Sequence, residues 1–213
     1  MPSTGPLREE GEDLRARRRR QTAEHVGQAA LRLFEERGVA ATTVDDIAAA
    51  SGISPRTFFR YFPTKEDAAL QDFSAMEEAI EALDLAGADA AGARERIEEM
   101  YAVLIARLTA EPQARRYAAV QRLTAREPAL KQAAEARLQA YSDRLCARLT
   151  EALGPGSRLK ARVIAALTGA VLHAALTEWG QEAEGGGPQD LAALYREARE
   201  SLAGVLPERP SRA

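Results

Sequence analysis

The sequence predicts an all-α chain, and three observations carry that prediction. Alanine and leucine dominate an apolar fraction of 46%, with aromatic residues at only 5%, a mixture that favours helix over strand. Apolar residues recur at three- and four-residue spacing along most of the chain, and no segment shows sustained strand alternation. Between the periodic stretches stand helix start and stop residues: Ser or Thr caps, Pro at first helical positions, Gly just past the ends. These signals predict about nine helices, without a repeat at a fixed period.

Residues 1–13 are polar and acidic and hold Pro2 and Pro6, so a disordered tail is expected there. Periodicity begins near Leu14, with Val26, Ala30, Leu33 and Phe34 on one face and Gly38 at the helix end. Thr43 and Asp46 form a capping-box pattern for a short second helix with Val44, Ile47 and Ala48 inward, stopping at Ser51-Gly52. Ser54 caps a third helix, Pro55 opens it, Phe58 and Phe62 line its inner face, and Pro63 ends it. Thr64 and Asp67 repeat the cap for a fourth helix running to about Leu85.

Past the Ala- and Gly-rich break at 86–93, Ile97, Met100, Tyr101, Leu104, Ile105 and Leu108 form one stripe ended by Glu111-Pro112. A shorter helix covers 113–125, and a longer one runs from Pro128 to Gly154-Pro155-Gly156. Ser157 caps the eighth, apolar on nearly every side from Val163 to Leu176 and so expected to be covered on nearly every side. After a loop at 184–188, Leu191, Leu194, Tyr195, Ala198, Leu202 and Val205 make the last stripe. The 213 residues allow one small domain and one medium one. The expected division is a head at 14–63, a larger helical domain at 64–206, and a second disordered tail at 207–213.

A net charge of −3 and a pI near 5.6 do not mark a nucleic-acid binder, so the local balance decides. From Leu14 to Phe62 nine arginines face five acidic residues, a net of about +4 against about −7 elsewhere. One cysteine, Cys146, excludes an internal disulfide and suits a reducing cytoplasm. Residues 1–12 lack the apolar core of a signal peptide. The most apolar run, Val163 to Leu176, is short for a bilayer and is broken by Thr168 and His173. A soluble, cytoplasmic protein without a membrane partner is expected.

The informative stretch is Thr42 to Asp67, TTVDDIAAASGISPRTFFRYFPTKED. It is two short helices joined by a tight turn built on Gly52, a geometry that lets the second helix enter a major groove while the first braces it. With Phe58 and Phe62 inward, Arg56, Thr57, Phe59 and Arg60 point outward, and an arginine there can grip guanine O6 and N7. The arginines at 17, 18, 19 and 20 form a candidate arm for phosphates or the minor groove. An ordinary solvated helix start, paired with the acidic residues at 9–13, is an equal alternative for any one of them.

This wording resembles the TetR family of bacterial regulators, closely so over Arg20 to Asp67: the Gly38 break, Thr-Val-Asp-Asp-Ile-Ala, Gly-Ile-Ser, Phe-Phe-Arg-Tyr-Phe and Lys65 all match. The resemblance implies that Ser54, Pro55, Arg56 and Thr57 sit at base edges and that Thr43, Tyr61 and Lys65 touch phosphates. It also implies a homodimeric repressor on a palindromic DNA operator, released by a small molecule. Phe59 stands where many members have tyrosine, and Tyr61 where many have histidine. Residues 42–63 further resemble a branch whose second domains take acyl-CoA-like ligands.

In the family's plan the middle helices enclose a pocket and the last two pair with a second subunit. The candidate lining is Met100, Tyr101, Leu104, Tyr117, Gln121, Tyr141, Leu145, Cys146, Leu172, His173, Leu176 and Trp179, with core packing the plainer alternative for each. Ala165, Gly169 and His173 give the eighth helix a face low in bulk. A largely hydrophobic effector is expected. An enzyme is the competing class, but the two histidines, His25 and His173, lack a nucleophile, and neither a metal-ligand cluster nor a phosphate-binding loop is seen. No catalytic residue, metal or cofactor is expected. A ligand-independent architectural DNA binder is the other alternative, for which the long second half is superfluous.

Overall fold

Start and stop residues read from the sequence reappear as the bounds of the first helices. In the computed structural model, residues 6–71, 74–110, 113–184 and 190–205 are described, and their regular elements are all helical. α1 (Pro6–Arg37) is followed by α2 (Val44–Ala50), α3 (Pro55–Tyr61) and α4 (Lys65–Ala69). Then come α5 (Ser74–Ala82), α6 (Ala90–Leu108), α7 (Gln113–Arg126), α8 (Pro128–Leu153), α9 (Arg158–Glu184) and α10 (Leu191–Val205). Contacts divide the chain into two units, residues 1–72 with 127–133 and residues 73–126 with 134–213.

In the first unit α1 packs on α2 and α4, and α2 on α3. Val26, Ala30, Leu33, Phe34, Val39, Ile47, Ala48, Phe58, Phe62, Ala68 and Ala69 are buried, each larger side chain contributing about 1.5–3 kcal/mol through burial. Gly38 ends α1 at φ +81°, a left-handed conformation that favours glycine, and its N–H donates to Phe34 O at 2.9 Å.

Three expectations about this half are corrected. α1 reaches back to Pro6, a residue that suits a first helical position, into the stretch expected to be a disordered tail, of which residues 1–5 lie outside the described residues. The expected boundary at 63/64 falls inside the first unit, because α4 packs on α1 with Ala68 and Ala69 fully buried. The expected fourth helix is two helices: Leu70 leaves the helical region at φ −89°, ψ 16°, and residues 68 to 71 are all buried. This raises the count to ten among the described residues.

In the second unit α9 packs on α6, α7 and α10, and α5 on α6. Ile97, Leu104, Ile105, Val120, Leu149, Ala161, Ala165, Leu172 and Leu191 are buried there. Glu98, also buried, is bound by Arg94 at 2.6 Å and by Arg199 of α10 at 2.5 Å, and its carbonyl accepts from the Tyr195 hydroxyl at 3.4 Å. Two guanidiniums compensate the buried carboxylate and hold α6 to α10. Arg148 donates to Leu83 O at 2.6 Å and Arg144 pairs with Glu77, fastening α8 to the α5 region.

Three further corrections concern α9. At Arg158–Gln181 it is long and apolar enough to cross a bilayer, with mean hydropathy 1.5, whereas the run alone looked too short. The helix continues beyond the apolar run at both ends, and only 44% of that window is buried, so the expected cover on nearly every side is not met within the single chain, where Val163, Ala166, Ala170, His173 and Ala174 are exposed. Ser157 does not cap α9 through its hydroxyl, which donates instead to Gly154 O at 2.7 Å.

Candidate nucleic-acid interface

Three hydroxyl caps set the helices of the head. Thr43 Oγ1 accepts from Asp46 N at 3.1 Å, while the Asp46 carboxylate accepts from Thr43 N at 2.9 Å and from the Thr43 hydroxyl at 2.6 Å. Those bonds, hydroxyl first and amide second, with the Arg37 charge at 3.8 Å, hold the Asp46 carboxyl below its ordinary pKa. The turn after α2 is closed by Ile53 N donating to Ala48 O at 3.0 Å, and Gly52 takes φ +65° there. Ser54 Oγ then accepts from Thr57 N at 3.1 Å and opens α3, with Pro55 following. Thr64 Oγ1 accepts from Asp67 N at 3.1 Å and starts α4.

α3 is divided into an inner and an outer face, as the spacing of its aromatics predicted. Phe58 is fully buried, with Phe62 at 5.6 Å between ring centroids. Phe59 is 58% exposed, its ring edge-on to Phe58 at 5.6 Å, with Ser54, Pro55, Arg56 and Arg60 exposed beside it and Thr57 half-buried. Two guanidiniums stand over the half-buried Tyr61 ring, that of Arg60 at 5.3 Å and that of Arg19 at 5.9 Å. Arg19 thereby joins the end of α3, and Arg17, Arg18 and Arg20 are exposed on α1. The result is an arginine-rich outer face with one bare aromatic, which can contact phosphates and base edges together.

Two residues expected at phosphates have other bonds. The Thr43 hydroxyl is exposed but belongs to the α2 cap. The Lys65 ammonium turns inward and donates to Val39 O at 2.6 Å and Thr42 O at 2.8 Å. The family resemblance implied a phosphate contact for Lys65, and no spacing pattern in the sequence links it to carbonyls more than twenty residues earlier.

In the second unit the expected pocket residues separate. Tyr101, Leu104, Tyr117, Leu145, Cys146, Leu172, Leu176 and Trp179 are buried, Met100, Gln121 and Tyr141 are half-buried, and His173 is exposed. Tyr117 and Trp179 pack at 5.7 Å, Tyr101 and Tyr195 edge to face at 6.4 Å. Burial pushes the Tyr101 phenol up to about 12, a hydrogen bond with Thr168 acting the other way. The proposed low-bulk face of Ala165, Gly169 and His173 does not form, because Ala165 is buried while His173 is exposed. Four-residue steps advance about 40° each around a helix, so over two steps the face rotates away.

A groove of about 630 Å³ runs between α9 and α10, lined by Leu167, Ala170, Ala174, Leu194, Leu202 and Val205 among others. The sequence signal was present in the α9 apolar run, but the groove needed the phase of both helices. A second concavity of about 870 Å³ borders Cys146, Thr150, Arg158 and Arg162.

Residues 28–70 match the family model described as bacterial regulatory proteins, tetR family. The HTH-type transcriptional regulator TcmR of Streptomyces glaucescens is 46% identical over 70 residues, which are 33% of this chain and 31% of that protein. The matched part thus spans about a third of that relative's length. The fatty acid degradation regulator FadR of Bacillus halodurans shares the fold with a TM-score of 0.56 at 22% identity, over 88% of this chain and 97% of that one. Thermus thermophilus FadR, a repressor solved in complex with lauroyl-CoA, does so with a TM-score of 0.51 at 22% identity, over 90% and 99%. Residues 28–70 are therefore similar in sequence to the matched segment of bacterial regulatory proteins of the tetR family, and the fold of the longer chain is similar to that of the two FadR structures.

Proposed function

We propose that the chain is a cytoplasmic, sequence-specific transcription repressor that binds a palindromic operator as a homodimer and is released by a largely hydrophobic effector. The observation that carries this reading is the outer face of α3: Arg56, Phe59 and Arg60 exposed around a buried Phe58, on a helix fixed by the Ser54 cap and the Gly52 turn. Arg56 and its neighbours Ser54, Pro55 and Thr57 would meet base edges, and Arg60, Tyr61 and the arginines at 17–20 the phosphates. Arg56→Ala is expected to cost about 1–3 kcal/mol of operator binding and to relax preference at one base pair per half-site. Selection from a random duplex pool, followed by titration of the selected and a scrambled duplex, measures both. Equal affinity for the two duplexes would refute the reading.

The regulatory part of the proposal assigns the effector to the second unit. This part rests on the fold shared with Thermus thermophilus FadR, which was solved with an acyl thioester, and the apolar groove between α9 and α10 suits a largely hydrophobic ligand. Linkage then requires that a bound acyl thioester weaken operator binding by the same factor that the operator weakens its own binding, about 5–150-fold. Residues 64–85 are not one continuous helix, since α4 ends at Ala69 and α5 begins at Ser74. Titrating the selected duplex with and without lauroyl-CoA tests the coupling; tight thioester binding that leaves duplex affinity unchanged defeats it.

A further inference from the structure

We propose that Lys65 is a positioning residue: its ammonium holds the link between α1 and α2 by two backbone carbonyls, instead of gripping a phosphate, and so fixes α2 and α3 against α4. The proposal rests on the reading of the head as a DNA-binding element.

Lys65 is the first residue of α4, directly after the Thr64 cap. The helix dipole disfavours a cation there and favours the acidic Glu66 and Asp67 that follow. What compensates the misplaced charge is a pair of short, charge-assisted bonds, to Val39 O at 2.6 Å and Thr42 O at 2.8 Å. An ammonium has three protons, and two of them are held inside the protein. Lys65 is half-buried, in contrast to the exposed Arg17, Arg18, Arg19, Arg20, Arg56 and Arg60.

The link that Lys65 grips is tied at both ends. Gly38 closes α1, and Thr42, fully buried, donates from Oγ1 to Gly38 O at 2.9 Å and to Leu33 O at 3.3 Å. Thr42 N donates to Val39 O at 3.3 Å. The next peptide N–H, that of Thr43, is the one the Asp46 carboxylate accepts in the cap of α2. The lysine strut therefore ends one peptide from the start of α2, which carries α3 through the Gly52 turn. A phosphate could draw the ammonium away only by leaving two carbonyls without their charged donor, a cost the solvated arginines do not bear.

The test uses the full chain, labelled with 15N and 13C, free and bound to a duplex selected by the wild type from a random pool. Lys65, Lys131 and Lys160 are the three lysines, so the Nζ signal can be assigned by substitution. Scalar coupling from Lys65 Nζ to the carbonyl carbons of Val39 and Thr42 is expected in the free protein and retained on the duplex. Coupling to a duplex phosphorus with loss of the carbonyl couplings would overturn the proposal. In parallel, Lys65→Met is expected to lose roughly tenfold in duplex affinity with the salt dependence unchanged. Lys65→Arg, which can reach both carbonyls, should recover most of that loss. A Lys65→Met salt slope reduced by about one ion per head would instead show a phosphate contact and end the proposal. A wild type that selects no duplex sinks the DNA-binding reading itself, and the positioning role with it, whatever couplings the free protein shows. Should Lys65→Met fail to fold, the couplings in the wild type still decide.

Discussion

Ala170→Arg is expected to leave each chain folded and to abolish the homodimer. Ala170 is exposed on α9 and lines the apolar groove between α9 and α10, with Ala174, Leu194, Leu202 and Val205. In a single chain an arginine there points to water and costs little. In a dimer built on that groove the guanidinium is buried without a partner, at a cost of about 3–5 kcal/mol, or roughly 10²–10³-fold or more in dissociation constant. Loss of the second head also removes the avidity of two linked half-sites, on the order of 10²–10⁴-fold. Sedimentation at micromolar concentration should show a wild-type dimer and an Ala170→Arg monomer, and duplex titration the matching loss. A variant that still sediments as a dimer would move the interface elsewhere. The groove is chosen for it because its lining is largely apolar and leaves Ala170, Ala174 and Val205 exposed in the single chain, Val205 by 75%.

Phe58→Ala is expected to unfold the head, and Phe59→Ala to leave it standing. Phe58 is fully buried between Phe59 and Phe62, so truncation leaves a cavity and costs about 3–5 kcal/mol. A unit this small has a total stability of about the same size. Phe59, at 58% exposure, makes one edge contact, and its loss should be felt at the DNA and not in the melt. Urea unfolding followed by tyrosine fluorescence and far-ultraviolet dichroism separates the two. If Phe59→Ala destabilises as much as Phe58→Ala, the assignment of inner and outer faces on α3 is wrong.

The same pair shows how far the residues speak for themselves. Phe58 and Phe62, four apart after a Ser-Pro start and before a proline, define an inner face by spacing alone, and the structure buries both. The Thr43, Ser54 and Thr64 caps, the Gly38 stop and the Gly52 turn were legible for the same reason. Each is a contact within five residues, encoded where it acts. The end of the fourth helix was not legible, because the chain leaves the helical region at the fully buried Leu70, which is not a local stop residue.

Local sequence thus specified the helical class, the head, its caps and the outward arginines of α3, since backbone propensity and side-chain periodicity act over one or two turns. Tertiary structure alone decided three other matters. It turned Lys65 inward onto Val39 and Thr42, joined Glu98 to Arg199 across 101 residues, and set His173 outside the core while Ala170 came to line a groove. These depend on how one helix is rotated against another far along the chain. That rotation is set by the summed packing of many side chains, and no short stretch of sequence carries it.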